Sequence, residues 1–201
     1  MNVLITGANG FVGRALCDNL IADGHQVRGA VRGTTQMTGL PSGVEGVQVG
    51  DISPETDWHE ALDGIDVVVH LAARVHVMND SADDPLAEFR KVNTAGTLNI
   101  ARQAVAAGVR RFVFVSSVKV NGEGTGERET GGGRPETGRM ETGGRRVAFS
   151  EGDVAEPRDA YAVSKWEAEQ GLMAIAEKTG LEVVIIRPPL VYGPGVKANF
   201  R

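Results

Sequence analysis

Val3-Leu4-Ile5-Thr6-Gly7-Ala8-Asn9-Gly10-Phe11-Val12-Gly13 opens the chain with a short apolar run that stops at a glycine turn and passes into a helix-like stretch. The three glycines serve different physical ends. Gly7 permits a tight turn out of a strand, Gly10 lets backbone approach an anion, and Gly13 lets the following helix pack close to the strand. The first turn of that helix presents N–H groups and a partial positive charge, which suit a pyrophosphate. The spacing is G-x-x-G-x-x-G rather than G-x-G-x-x-G, so a dinucleotide reading needs support from the rest of the chain.

Working outward, short β-branched runs alternate with helical segments. Val3–Thr6 leads to a helix over Phe11–Asp23, followed by strands at Gln26–Val31 and Val47–Gly50. A short helix at Glu55–Leu62 precedes a strand over Asp66–Leu71, and Asp84–Ala107 reads as one long helix. Arg111–Ser116 is a fifth strand, Asp159–Thr179 a second long helix and Glu182–Arg187 a sixth strand. Nearly continuous apolar strands separated by helices predict a parallel sheet covered on both faces, in a Rossmann-like, doubly wound α/β fold. Ligands of such sheets bind beyond the carboxyl ends of the strands, where strand order reverses. The glycine turn, Leu71-Ala72-Ala73 and Ser116-Ser117 all fall at strand exits of this kind. The whole chain, 1–201, is expected to form one NAD(P)-binding domain. Gly122–Gly152 breaks the pattern, being rich in Gly, Glu, Thr and Arg, with Glu-Thr-Gly recurring at 129, 136 and 141. With few apolar residues to bury, it reads as a flexible insertion, either a lid over the site or a tolerated surface loop.

A net charge of −5 argues against a nucleic-acid partner. No apolar stretch approaches the length of a membrane span. The N-terminal run is too short for a secretory leader and lacks a basic start, so the cytoplasm is the expected location. The single cysteine, Cys17, excludes an internal disulfide and reads as a small core residue. Four histidines and one cysteine show no metal-ligand spacing, so no metal is expected.

Tyr161 and Lys165, in Tyr161-Ala162-Val163-Ser164-Lys165, lie four residues apart on a helix and share a face. A free phenol, with a pKa of about 10, is a poor base at neutral pH. A neighbouring ammonium and the positive ring of an oxidised nicotinamide would stabilise phenolate and lower that value. Ser117 can hydrogen-bond the reacting oxygen, and Lys165 can also reach the nicotinamide ribose. The chemistry implied is redox at an alcohol or ketone. Cofactor preference is read at the end of the second strand, where an NAD site commonly places an acid. Here Val31-Arg32 stands instead, and Arg32 suits a 2′-phosphate, so NADP is favoured over NAD. Asp51 and Ile52 follow the third strand, placed to touch the adenine. Asn93 either holds backbone behind the site or is a surface asparagine. His70, inside Val67-Val68-Val69-His70-Leu71, reads as a satisfied core histidine, and His76 is undetermined.

These residues resemble the extended short-chain dehydrogenase/reductases, in particular the NAD-dependent epimerase/dehydratase family and its UDP-glucose 4-epimerase-like members. The segments that carry the resemblance are Thr6 to Gly13, Gly50-Asp51-Ile52, His70 to Ala73, Val115 to Gly122, Tyr161 to Lys165 and Arg187 to Gly195. The resemblance implies that Ser117, Tyr161 and Lys165 are catalytic. It also implies that Gly7, Asn9, Gly10, Phe11, Val12, Gly13, Asp51, Ile52, Leu71, Ala72, Ala73, Asn93, Ser116 and Pro188 contact the cofactor, with Tyr161 and Lys165; Arg32, expected at the cofactor by its charge, departs from the acidic pattern usual in NAD-retaining epimerases. Family members usually continue well beyond the point where this chain stops, so the substrate lobe is expected to be largely absent. The implied activity is hydride transfer between a nucleotide-sugar C4 and bound NAD(P). The alternatives are an NADPH-dependent reductase of a 4-keto sugar or other carbonyl, and a non-catalytic dinucleotide module. The resemblance also admits a homodimer through the two long helices.

Overall fold

The computed structural model describes residues 1–75, 84–122, 152–193 and 196. His76 and all but the ends of the 122–152 insertion lie outside the described residues. Six strands form one parallel sheet: β1 (Asn2–Thr6), β2 (Gln26–Val31), β3 (Glu45–Gln48), β4 (Val67–His70), β5 (Arg111–Val115) and β6 (Glu182–Ile186). Their spatial order is β3-β2-β1-β4-β5-β6. Order therefore reverses between β1 and β4, which opens a crevice at their carboxyl ends.

Alternation along β1 sorts the core. Leu4 packs on one face with Val68, Phe112 and Phe114, under Ile100, Ala104, Ala168 and Leu172 from two helices, α4 (Thr97–Ala106) and α5 (Ala160–Thr179). Val3 and Ile5 point to the other face, where Ala8 and the buried Cys17 of α1 (Phe11–Ala22) meet them. Helices thus lie on both faces, but the cover is uneven. On β6, Val184 and Ile186 remain 41% and 45% exposed, and among the described residues no helix lies over them.

The elements form where expected, with three informative shifts. The helix expected over 55–62 is confined to α2 (His59–Leu62). Ser53 N–H donates to Thr56 Oγ1 at 2.8 Å and Thr56 Oγ1 donates to Asp51 O at 2.7 Å. Side-chain bonds of this kind compete with helical ones and hold 51–56 as a turn. β3 lies two residues earlier than Val47–Gly50, because its register is set by pairing Arg28–Val31 with Glu45–Gln48. The long helix over 84–107 is continuous but not uniform. It comprises α3 (Pro85–Phe89), a π-helical stretch over Arg90–Gly96, and α4.

Candidate active site

The turn after β1 is built by close approach. Gly7 has φ of 72°, and a Cβ there would stand 3.1 Å from the backbone nitrogen of Ala72. A Cβ on Gly13 would lie 2.1 Å from the carbonyl oxygen of Gly7. No side chain larger than glycine fits at Gly13 without moving α1 off the strand. Gly10 is the N-cap of α1, lines the crevice and carries no side-chain cap, so the helix start there is left without a capping acceptor from its own N-cap side chain. The crevice is a cavity of about 820 Å³, within the range of small-molecule and cofactor sites. Its walls include Gly7, Asn9, Gly10, Arg32, Asp51, Ile52, Leu71, Ala72 and Ala73. A glycine cradle at an uncapped helix end and a pocket of this size lined by the strand exits fit a dinucleotide.

Other expected contacts lie off this cavity. Gly13 stands behind the turn, while Phe11 and Val12 are partly exposed on the first turn of α1. At the cavity mouth, Arg32 is mostly exposed and lies 3.8 Å from the Asp51 carboxylate. Trp58, fully buried, also lines the cavity, and its Nε1 has no partner among the described residues.

On the β5 side, Ser116 and Ser117 follow the strand. Ser116 N–H donates to Ile186 O at 2.7 Å, while its buried Oγ has no partner among the described residues. Ser117 caps a short 3₁₀ turn, Val118–Asn121, accepting from Lys119 N–H at 3.3 Å. Pro188 holds that turn through its carbonyl, which accepts from Val118 N–H at 3.0 Å. Tyr161 lies close enough to Ser117 for that hydroxyl to favour its phenolate, and its ring meets Phe89 edge-on at 6.2 Å. One helical turn on, Lys165 is buried, with Nζ 3.9 Å from the centre of the Phe114 ring.

The electrostatics depart from expectation at Tyr161. Burial pushes its phenol above the usual value, and the Asp159 carboxylate adds to this, while the Ser117 hydrogen bond pulls the other way. The protein's own side chains therefore do not deliver the lowering assigned to Lys165. Lys165 itself is moved: burial brings its amine down to about 7, with Glu169 acting in the opposite sense. Glu169 is buried one turn beyond Lys165 and holds Arg187 through two nitrogens, Nε to Oε1 at 3.0 Å and Nη2 to Oε2 at 2.5 Å.

Asn93 is buried behind the site, not on the surface. Its Oδ1 accepts from Arg74 N–H at 2.8 Å, and its Nδ2 donates to Arg74 O and Ser164 Oγ, each at 3.0 Å. Ser164 Oγ donates in turn to Tyr161 O at 2.7 Å. His70 is a core histidine, as read. Its ring nitrogens contact Thr6 Oγ1 at 2.7 Å and Thr97 Oγ1 at 3.0 Å. Thr6 Oγ1 also accepts from Ala72 N–H at 3.1 Å, fixing the chain as it passes Gly7. Sequence reading missed Thr6, Ser164, Trp58 and the Glu169–Arg187 pair. Only Glu169 carried a signal, its spacing of four from Lys165.

A family model described as NAD dependent epimerase/dehydratase family matches residues 3–201. The chain belongs to this family. It is 46% identical over 201 residues to a UDP-glucose 4-epimerase of Vibrio cholerae, covering 99% of this chain and 54% of that protein. It is 34% identical over 207 residues to a dihydroflavonol 4-reductase of Zea mays, covering 98% of this chain and 54% of that one. A solved UDP-glucuronic acid 4-epimerase of Bacillus cereus, in complex with NAD, superposes with a TM-score of 0.74 at 26% identity, covering 96% of this chain and 58% of that one. The chain therefore spans about half the length of the curated relatives it matches. The family is one of NAD(P)-dependent epimerases, dehydratases and reductases, and the sheet order and glycine cradle are the part of it that this chain carries.

Proposed function

We propose that this chain carries the dinucleotide site and the acid/base centre of a nucleotide-sugar 4-epimerase-like oxidoreductase. The observation that supports it most is the placement of Tyr161 beside Ser117, with Lys165 buried one turn along the same helix. Ser117 orients the substrate oxygen against the Tyr161 hydroxyl. Tyr161 takes the proton of the sugar C4 hydroxyl as that carbon is oxidised. It returns the proton after the 4-keto ring has presented its other face. Bound NAD(P) supplies the hydride acceptor and donor for this exchange. The N-terminal turn of α1 would hold its pyrophosphate, Asp51 and Ile52 its adenosine, and Lys165 its nicotinamide ribose. An amine poised near neutrality suits Lys165 to a site where it must answer to a nearby phenolate.

NADP is the proposed dinucleotide. Arg32 stands at the cavity mouth with a carboxylate partner at 3.8 Å, loosely enough held to turn toward a 2′-phosphate. That same residue, with the reductase relative, favours a second reading, one-way reduction of a carbonyl by the same three side chains. Incubation with UDP-glucose and NADP(H) separates the readings. An epimerase interconverts the sugar with no net change in dinucleotide, whereas a reductase consumes NADPH in step with product. Under either, Tyr161→Phe is expected to lower the rate about 10²- to 10⁴-fold while leaving dinucleotide binding intact. A variant that turns over as fast as the parent would sink the acid/base role.

A further inference from the structure

We propose that Lys119 is a positioning residue for Tyr161, clamping the Ser117 turn to the start of α5 and offsetting the charge of Asp159 beside the phenol. This rests on the acid/base role of Tyr161 proposed above. Lys119 joins the two segments carrying the reactive side chains. Its backbone N–H donates to Ser117 Oγ at 3.3 Å, and its Nζ donates to Asp159 Oδ2 at 2.7 Å. Asp159 is already committed by its other oxygen, because Oδ1 caps α5 by accepting from Ala162 N–H at 2.6 Å. One carboxylate thus ends the helix that bears Tyr161 and grips the turn that bears Ser117.

The same geometry has an electrostatic consequence. Asp159 lies two residues before Tyr161, and a negative charge there disfavours phenolate. The ammonium on its outer oxygen makes the pair neutral. Among the described residues, the groups around the phenol are Asp159 at the start of its own helix, Ser117 from the 3₁₀ turn and Phe89 from α3, over whose ring the Arg74 guanidinium lies at 5.5 Å, with Lys165 one turn along α5 and Lys119 behind Asp159. Among these described groups Asp159 is a carboxylate, and Lys119 is a cation in contact with it. The Lys119 and Asp159 side chains are about one-third exposed, so water screens the pair in part and the expected shift is modest.

The test needs no substrate and no dinucleotide, so its outcome is separate from that of the proposed activity. The chain has two tyrosines, and Tyr192→Phe leaves Tyr161 as the one phenol to follow by ultraviolet difference absorbance. In that background Lys119→Met is compared with Lys119→Arg, which stays cationic throughout the titration. The Met variant should titrate roughly one pH unit higher than the Arg variant. Adding Asp159→Asn, which preserves the helix cap, should abolish that difference. Equal midpoints for the Met and Arg variants would overturn the proposal. So would a difference that persists undiminished with Asp159→Asn, because the lysine would then act other than through that carboxylate.

Discussion

His70 sits at the centre of the sheet with both ring nitrogens bonded to threonine hydroxyls, Thr6 from β1 and Thr97 from α4. Burial, and secondarily the charge of Lys165, hold its pKa down to about 3 against an ordinary value of 6.5. The folded protein therefore keeps the ring neutral while the unfolded chain protonates it from pH 6.5 downward. Stability from this group is complete above pH 6.5 and is lost as pH falls toward 3, at about 1.4 kcal/mol per pH unit. Urea midpoints measured between pH 7 and 4.5 should fall steeply for the parent and less steeply for His70→Gln. Equal slopes would show that His70 is not the titrating group. The identity of the residue was legible from its apolar surroundings, Val-Val-Val-His-Leu. Its threonine partners were not, because they come from positions 64 residues before and 27 after it in sequence. The same holds at Tyr161. Its motif was plain in sequence, but the sign of its shift depends on how deeply the ring is buried and on Asp159, which no spacing reveals.

At the scale of elements, the stretch from Pro85 to Ala106 shows what sequence can and cannot supply. Its residues are good helix formers and its backbone stays helical across the junctions, so one helix was the natural expectation. The π-helical turns at Arg90–Gly96 belong to the tertiary structure. They carry Asn93 inward to bind Arg74 and Ser164, and Gly96 against the loop after β3. A Cβ on Gly96 would stand 2.6 Å from Ile52 Cγ2, so the absence of a side chain there sets where Asp51 and Ile52 meet the cavity. Asn93 is the bond between the β4 exit and α5. Replacing it with leucine leaves Arg74 N–H and Arg74 O to find other partners, while Ser164 Oγ keeps only its bond to Tyr161 O. The expected cost is roughly 2–4 kcal/mol of stability, since each buried group left unpaired costs about 1–3 kcal/mol. Chemical denaturation measures this, and an unchanged midpoint would show that the β4 exit does not depend on Asn93. Strand existence was legible because buried parallel strands read as apolar runs. Their ends moved by a residue or two because pairing register, not composition, decides them.

For the whole molecule, sheet order brings its parts to one edge. Reversal between β1 and β4 places the glycine turn, the Asp51 loop and the Ala72 passage around one cavity, with Ser117, Tyr161 and Lys165 beyond it on the β5 side. That placement was readable in advance, since each motif follows a strand. The uneven cover of the sheet was not, because Val184 and Ile186 have the composition of buried residues and are nonetheless exposed. The central claim is that these 201 residues hold a nicotinamide dinucleotide at the glycine cradle and favour the phosphorylated form through Arg32. Fluorescence titration of the purified chain with NADPH, and separately with NADH, tests it most directly. Saturable binding of both, tighter for NADPH, is the predicted result. Tighter binding of NADH would contradict the role given to Arg32, and saturable binding of neither would contradict the cradle itself.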